Sequence, residues 1–147
     1  MVVVGTGSVA LFATRIAAAQ GARVVVISGS GEKLERAKAL GAADGISRLR
    51  HPQWAGMLRD LTDGCGADHV LELAGGDNFG HSLAAAAKGG RVSVIGNLAG
   101  DELRSSVHPL LQGAVTYRAS ASATAGRWPT SCEPSTGWAS CRSSKGL

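Results

Sequence analysis

The chain has 147 residues, a formal net charge of +4, 44% hydrophobic and only 4% aromatic residues, and 21 glycines. That length suits one domain with a single sizeable core, and the modest 18% of charged residues argues against a disordered or collagen-like chain. Three cysteines with no C-x-x-C pair argue against a disulfide scaffold or a structural zinc site, and no apolar run reaches membrane-spanning length or follows a basic leader. The expectation is a cytoplasmic protein without a membrane or nucleic-acid partner.

Val2-Val3-Val4 reads as a short β-branched strand. Residues 8–20 space Val9, Leu11, Phe12, Ile16 and Ala19 as a helix that stops at Gly21. Residues 23–28 read as a buried strand, 32–40 as a helix with Leu34, Ala37 and Leu40 inward, and 43–47 as a short weak strand. His51-Pro52 opens a helix that places Trp54, Met57, Leu58 and Leu61 on one face. A strand over 68–74, an alanine-rich helix over 78–87 and a strand over 90–96 follow; a connection then leads to a last strand over 113–117. Apolar strands alternating with helices predict an α/β fold: a doubly wound parallel sheet of the Rossmann type, covered on both faces in three αβα layers.

Residues 119–147 differ from the rest, holding two of the three tryptophans and two of the three cysteines among Ser, Ala, Thr and Gly. Their three cations against Glu133 supply half of the net charge. The basic pI of about 9.3 is therefore no sign of a folded nucleic-acid surface. The expected organisation is a dinucleotide-binding domain over 1–118 and a poorly structured tail over 119–147, whose composition resembles a coding strand read out of frame.

The first turn carries chemistry. Gly5-Thr6-Gly7-Ser8-Val9-Ala10 is a G-x-G-x-x-A sequence between a strand and a helix. In that context Gly5 permits the tight turn, Gly7 lets backbone approach a pyrophosphate, and Ala10 lets the helix pack closely on the sheet. The helix N-terminus offers free N–H groups to the anion. After the second strand comes Ser28-Gly29-Ser30-Gly31-Glu32-Lys33, without the strand-end carboxylate that would bond both ribose hydroxyls. Ser28, Ser30 and Lys33 can meet a 2′-phosphate, which favours NADP and leaves NAD open. Ala74-Gly75-Gly76 and Ile95-Gly96-Asn97 end later strands, where small residues admit a ribose or nicotinamide ring.

Over residues 1–116, the run GTGSVALFATRIAAAQGARVVVISGSGEKLERAKALGA and the pairing of GADHVLELAGG with KGGRVSVIGNLAG resemble the cofactor domain of the medium-chain, zinc-type alcohol dehydrogenase family. The resemblance implies hydride transfer between a nicotinamide cofactor and an alcohol or carbonyl substrate. It implies that Gly5, Gly7 and Val9 meet the pyrophosphate, and that Ser28, Ser30 and Lys33 meet the adenosine ribose. Gly75, Ile95 and Gly96 would line the nicotinamide side. With Thr6, Ser8 and Ala74 from the same turns, these are the candidate cofactor-binding residues.

No catalytic residue and no metal ligand is assigned. Cys65 stands alone in a glycine turn, and His51, His69, His81 and His108 are scattered. In the family the substrate site and any zinc belong mainly to a separate domain placed earlier in the chain, so this sequence is expected to be a fragment that is catalytically incomplete by itself. The family also implies a homodimer through the edge strand near 113–117. Two other classes remain: a nucleotide-binding remnant without catalysis, and an S-adenosylmethionine-dependent methyltransferase. A short-chain dehydrogenase is excluded, because Tyr117 is the only tyrosine and Ala121, not Lys, stands four residues later.

Overall fold

A computed structural model describes residues 1–100 and 102–120; the expectations for 121–147 lie outside the described residues. Six parallel strands form one sheet in the order β3-β2-β1-β4-β5-β6. The elements run β1 (Val2–Val4), α1 (Ser8–Ala19), β2 (Val25–Ser28), α2 (Gly31–Ala39), β3 (Asp44–Ser47), α3 (Trp54–Asp60), β4 (Ala67–Glu72), α4 (Asn78–Ala85), β5 (Ala86–Val94), α5 (His108–Gly113) and β6 (Thr116–Ala119). Strand order reverses between β1 and β4, which makes their carboxyl ends the switch point where open α/β sheets bind ligands.

The two faces of the sheet follow from strand alternation. Val3, Val24, Val26, Leu71 and Leu73 form one core with Ala10 and Ala17 of α1 and Leu34 and Ala37 of α2. Val2, Val4, Val25, Ile27, Val70, Val92 and Val94 form the other, with Trp54 and Leu58 of α3 and Phe79 and Leu83 of α4. Burying each such valine or leucine contributes roughly 1.5–3 kcal/mol. The three-layer arrangement expected from the sequence is the one observed.

Helix α1 rests on the sheet through its small residues. Ala10, Thr14 and Ala17 face inward, and the Thr14 hydroxyl donates to the Ala10 carbonyl at 2.8 Å. The larger Val9, Phe12 and Ile16 face outward at 52%, 68% and 58% exposure. Apolar periodicity located the helix, but residue size chose its buried face. Small side chains there allow the close helix-on-strand packing that the first turn demands.

Several boundaries differ from the sequence reading, most by one or two residues. Helix α3 starts at Trp54 rather than at Pro52. Strand β5 starts at Ala86 and takes the end of the expected alanine-rich helix, because its backbone pairs with β4 across a register irregularity between Ala67 and His69. The last strand is Thr116–Ala119 instead of 113–117. Its place is shifted by α5, a six-residue helix with Pro109 in its first turn and no buried residue. A helix that short shows no amphipathic period to read.

Candidate functional site

A cleft of about 810 Å³ opens at the switch point, across the carboxyl ends of β1, β2, β4 and β5. Gly5, Thr6, Gly7, Ser8 and Val9 form its floor at the start of α1. Ser28, Gly29, Ser30, Lys33 and Arg48 line one end, and Ala74, Ile95, Gly96, Leu98 and Ala99 the other. Every candidate cofactor-binding residue of the sequence except Gly75 lines this cleft. Gly75 lies behind it, its turn pressed against the backbone of residues 96–100.

The two glycines of the first turn are there for different reasons. Gly5 has φ +124°, a conformation L side chains rarely adopt, and its N–H donates to the Ile27 carbonyl at 2.9 Å. Gly7 has φ −74° and ψ 179°, which any residue adopts, and a Cβ built on it would meet nothing within 4 Å. The chain itself has no need of glycine at position 7. Gly7 is also the N-cap of α1 and supplies no side-chain cap, so the first-turn N–H groups point toward open space without an internal acceptor.

The end of β2 is organised by hydroxyls. Ser28 is buried; its Oγ lies 3.2 Å from Thr6 Oγ1 and accepts from the Ser30 N–H at 3.3 Å. Ser30 caps α2, its Oγ accepting from the Lys33 N–H at 3.4 Å. Both serines thus shape the turn; Ser30 keeps its hydroxyl proton to donate, while Ser28 and Thr6 share a hydroxyl–hydroxyl bond in which either can be the donor. Lys33 and Arg48 are exposed at the same end, and neither has an ion-pair partner among the described residues. Among the described residues no carboxylate lines the cleft. A dianion at this end would meet two cations.

Arg48 and Glu72 escaped the sequence reading. Arg48 sits just past β3 and comes alongside Gly29 across the strand order, with its Nε 3.5 Å from where a Gly29 Cβ would stand; parallel pairing, not sequence proximity, brings it there. Glu72, the last residue of β4, is fully buried. Its signal was visible: a carboxylate set between Val70-Leu71 and Leu73 must, if buried with them, find donors or remain uncharged. Its Oε1 accepts from the N–H groups of Ala74 at 2.7 Å and Gly75 at 2.9 Å, and Ser82 Oγ donates to its Oε2. Burial raises its pKa above the usual carboxylate range, while the bonds from Ser82, Gly75 and Ala74 and the charge of Arg48 pull it back.

Outside the cleft the chain offers little for chemistry. Among the described residues no three His, Cys, Asp or Glu side chains converge as a metal site, so they do not fit a zinc centre. No helix of the described residues is long and apolar enough to cross a membrane. Strand β6 is exposed along its whole length at the edge of the sheet.

The order of the sheet, the glycine turn at its switch point and the cleft above it define a Rossmann-type α/β domain. The profile of the zinc-binding dehydrogenases matches residues 8–134, and the chain belongs to that family. A zinc-type alcohol dehydrogenase-like protein of Schizosaccharomyces pombe is 45% identical over 101 residues, which are 69% of this chain and 29% of that protein. A structure from Sinorhizobium meliloti 1021, assigned provisionally as an alcohol dehydrogenase, is 51% identical with a TM-score of 0.74, covering 80% of this chain and 35% of that one. An NAD-dependent alcohol dehydrogenase (36% identity, TM-score 0.74, 82% of this chain and 35% of that one) and a mycobacterial protein complexed with NADPH (29%, 0.73, 81% and 38%) are also similar. The chain thus spans about a third of the length of these relatives.

Proposed function

We propose that this chain is the dinucleotide-holding part of an oxidoreductase that moves a hydride between a nicotinamide cofactor and an alcohol or carbonyl substrate, with NADP preferred to NAD. The observation that carries the reading is Gly7: glycine where neither backbone angle nor packing asks for it, at the mouth of a helix whose N–H groups are free. An approaching pyrophosphate supplies the missing reason. Gly5, Gly7, Ser8 and Val9 would hold that group, and Thr6 would keep Ser28 in place beside it.

The preference for NADP rests on the adenosine end. Ser28, Ser30, Lys33 and Arg48 would surround a ribose 2′-phosphate, with no acid among the described residues of the lining. Two exposed cations at roughly 0.5–1 kcal/mol each favour the phosphorylated cofactor by about 5- to 30-fold. Ala74, Ile95 and Gly96, with Gly75 behind them, would form the nicotinamide side.

Bound here, the cofactor supplies the hydride-carrying ring; the protein's own part is to orient it and exclude water along one face. Among the described residues, Lys33 and Arg48 are the only ionisable ones lining the cleft, and both lie at the adenosine end. This domain therefore contributes positioning, and the substrate groups, proton transfer and any zinc belong to parts of the enzyme beyond the described residues. A homodimer formed edge to edge through β6 is part of the same reading.

Calorimetric titration of the full chain with NADPH, NADH and S-adenosylmethionine tests it. The expected result is binding of NADPH, about tenfold weaker binding of NADH, and no heat from S-adenosylmethionine. Binding of S-adenosylmethionine alone overturns the reading, and equal affinity for the two nicotinamide cofactors removes the preference.

A further inference from the structure

We infer that Glu72 is the positioning residue for the nicotinamide side of the cleft: one buried carboxylate fixes the turn after β4, and that turn, through main-chain bonds and close packing, holds the segment after β5, so that both present a fixed wall to the ring. The inference rests on the cofactor reading of the cleft given above.

The argument begins with what surrounds Glu72. Its chain neighbours Val70, Leu71 and Leu73 are all buried, and an aliphatic side chain at position 72 would serve the strand as well. The carboxylate is instead committed in two directions. Oε1 accepts from the successive N–H groups of Ala74 and Gly75, and Oε2 takes the Ser82 hydroxyl of α4. Ser82 is itself fully buried. A single side chain thus fixes the turn to the helix that follows it.

The same residue reaches the neighbouring strand through its main chain. The Glu72 carbonyl accepts from the N–H of Ile95 at 2.8 Å and of Gly96 at 3.4 Å. Ala74 and Ala99 join the two segments a second time, the Ala99 N–H donating to the Ala74 carbonyl at 2.7 Å. The contact leaves no slack. A Cβ on Gly75 would stand 2.9 Å from Asn97 Cα and 3.1 Å from the Gly100 carbonyl oxygen, and one on Gly76 2.9 Å from the Ala99 carbonyl oxygen. Displacing the turn at 74–76 therefore displaces residues 96–100 with it. Ala74, Ile95, Gly96 and Ala99, all lining the cleft, belong to these two coupled segments.

Glu72 does not line the cleft, so its effect reaches the cofactor only through backbone. The adenosine end is built from β2, β3 and the start of α1, and among the described residues no hydrogen bond joins the Glu72 side chain to those segments; only the charge of Arg48 reaches it. Loss of the carboxylate should therefore loosen chiefly the nicotinamide side.

The test compares Glu72→Leu, Glu72→Gln and Ser82→Ala with the wild-type full chain, titrating each with NADPH and with 2′,5′-ADP, which carries the adenosine half only. Leucine keeps the apolar volume and removes every acceptor; glutamine keeps one carbonyl oxygen for the turn. The expected result for Glu72→Leu is about tenfold weaker NADPH binding with 2′,5′-ADP unchanged within about twofold. Glutamine should recover most of the loss, and Ser82→Ala should show a smaller loss of the same selective kind. Amide exchange at Ala74 and Gly75 should speed up in the leucine variant. Equal weakening of both ligands, or unchanged NADPH binding, overturns the positioning role; if the leucine variant fails to fold, the same criterion applied to Ser82→Ala decides. A wild-type chain that binds neither nucleotide overturns the cofactor reading itself, and the two failures are thereby distinguished.

Discussion

Gly7→Ala separates folding from binding more cleanly than any other change in the cleft. At φ −74° and ψ 179°, with nothing within 4 Å of the new Cβ, the methyl group fits the free chain without strain. Two small effects then oppose each other. Replacing glycine at a compatible backbone position stabilises by roughly 0.4–1 kcal/mol through the unfolded state. Alanine is a worse N-cap than glycine, and the substitution costs roughly 0.5–1 kcal/mol on that account. The net change in stability should stay within about 0.5 kcal/mol.

Binding is a different matter, because the methyl group occupies the space through which a pyrophosphate would approach the backbone. Forcing an extra methyl into a close-packed contact costs about 1–3 kcal/mol, which is roughly a 5- to 150-fold loss of affinity. Urea melts should therefore overlay for the two proteins while NADPH titrations diverge. Gly5→Ala is the control: at φ +124° it should cost about 1–3 kcal/mol in the free protein as well. An alanine at position 7 that leaves NADPH affinity within about twofold would refute the approach geometry. One that destabilises the free chain by more than about 2 kcal/mol would show that Gly7 is structural after all.

At the adenosine end, Lys33→Ala and Arg48→Ala should each weaken NADPH binding about two- to fivefold and leave NADH unchanged. The double variant should bind both cofactors alike, and an equal loss for NADH would show the cations acting on something other than the 2′-phosphate. Away from the cleft, Arg59 holds three main-chain carbonyls, its Nε donating to Ala84 at 2.9 Å, Nη1 to Gly64 at 2.8 Å and Nη2 to Ala86 at 3.0 Å. Arg59→Met should cost about 2–3 kcal/mol, read as a melting temperature lower by roughly 5–10 °C; a loss under about 1 °C would show the carbonyls satisfied by water. His69, bonded through Nε2 to Ser93 Oγ at 2.8 Å, has a pKa lowered from 6.5 by burial and then by the charges of Arg91 and the amino terminus. Below pH 6.5 the unfolded chain takes up that proton first, so stability present above 6.5 is lost as pH falls through the folded value. His69→Asn should flatten this slope in urea midpoints taken between pH 5 and 7, and parallel curves would remove His69 as its source.

How far the sequence reached depends on what each element needed. Strands β1, β2 and β4 were legible because apolar runs buried on both faces have few other fates, and the first turn because strand, glycines and helix arrive in fixed order. Helix α5 was not legible: six residues with none buried carry no pattern. Arg48 was not legible because only the parallel pairing of β2 with β3 brings the residue after Ser47 beside Gly29.

Glu72 is the instructive case, since the sequence places it in a strand and assigns it no role, yet the residue is wholly buried. Burial raises its pKa above 4.5, so the fold loses stability as pH rises from that value through the folded one, the reverse of an ion-paired carboxylate. A group that costs stability at neutral pH and could be replaced by an aliphatic one is not explained by the fold. Its three donors sit on the turn that borders the cleft and on the helix behind it. The buried charge therefore bears on the shape of that wall, which is why the selective loss of NADPH over 2′,5′-ADP, rather than any change in melting temperature, is the measurement that decides what Glu72 is for.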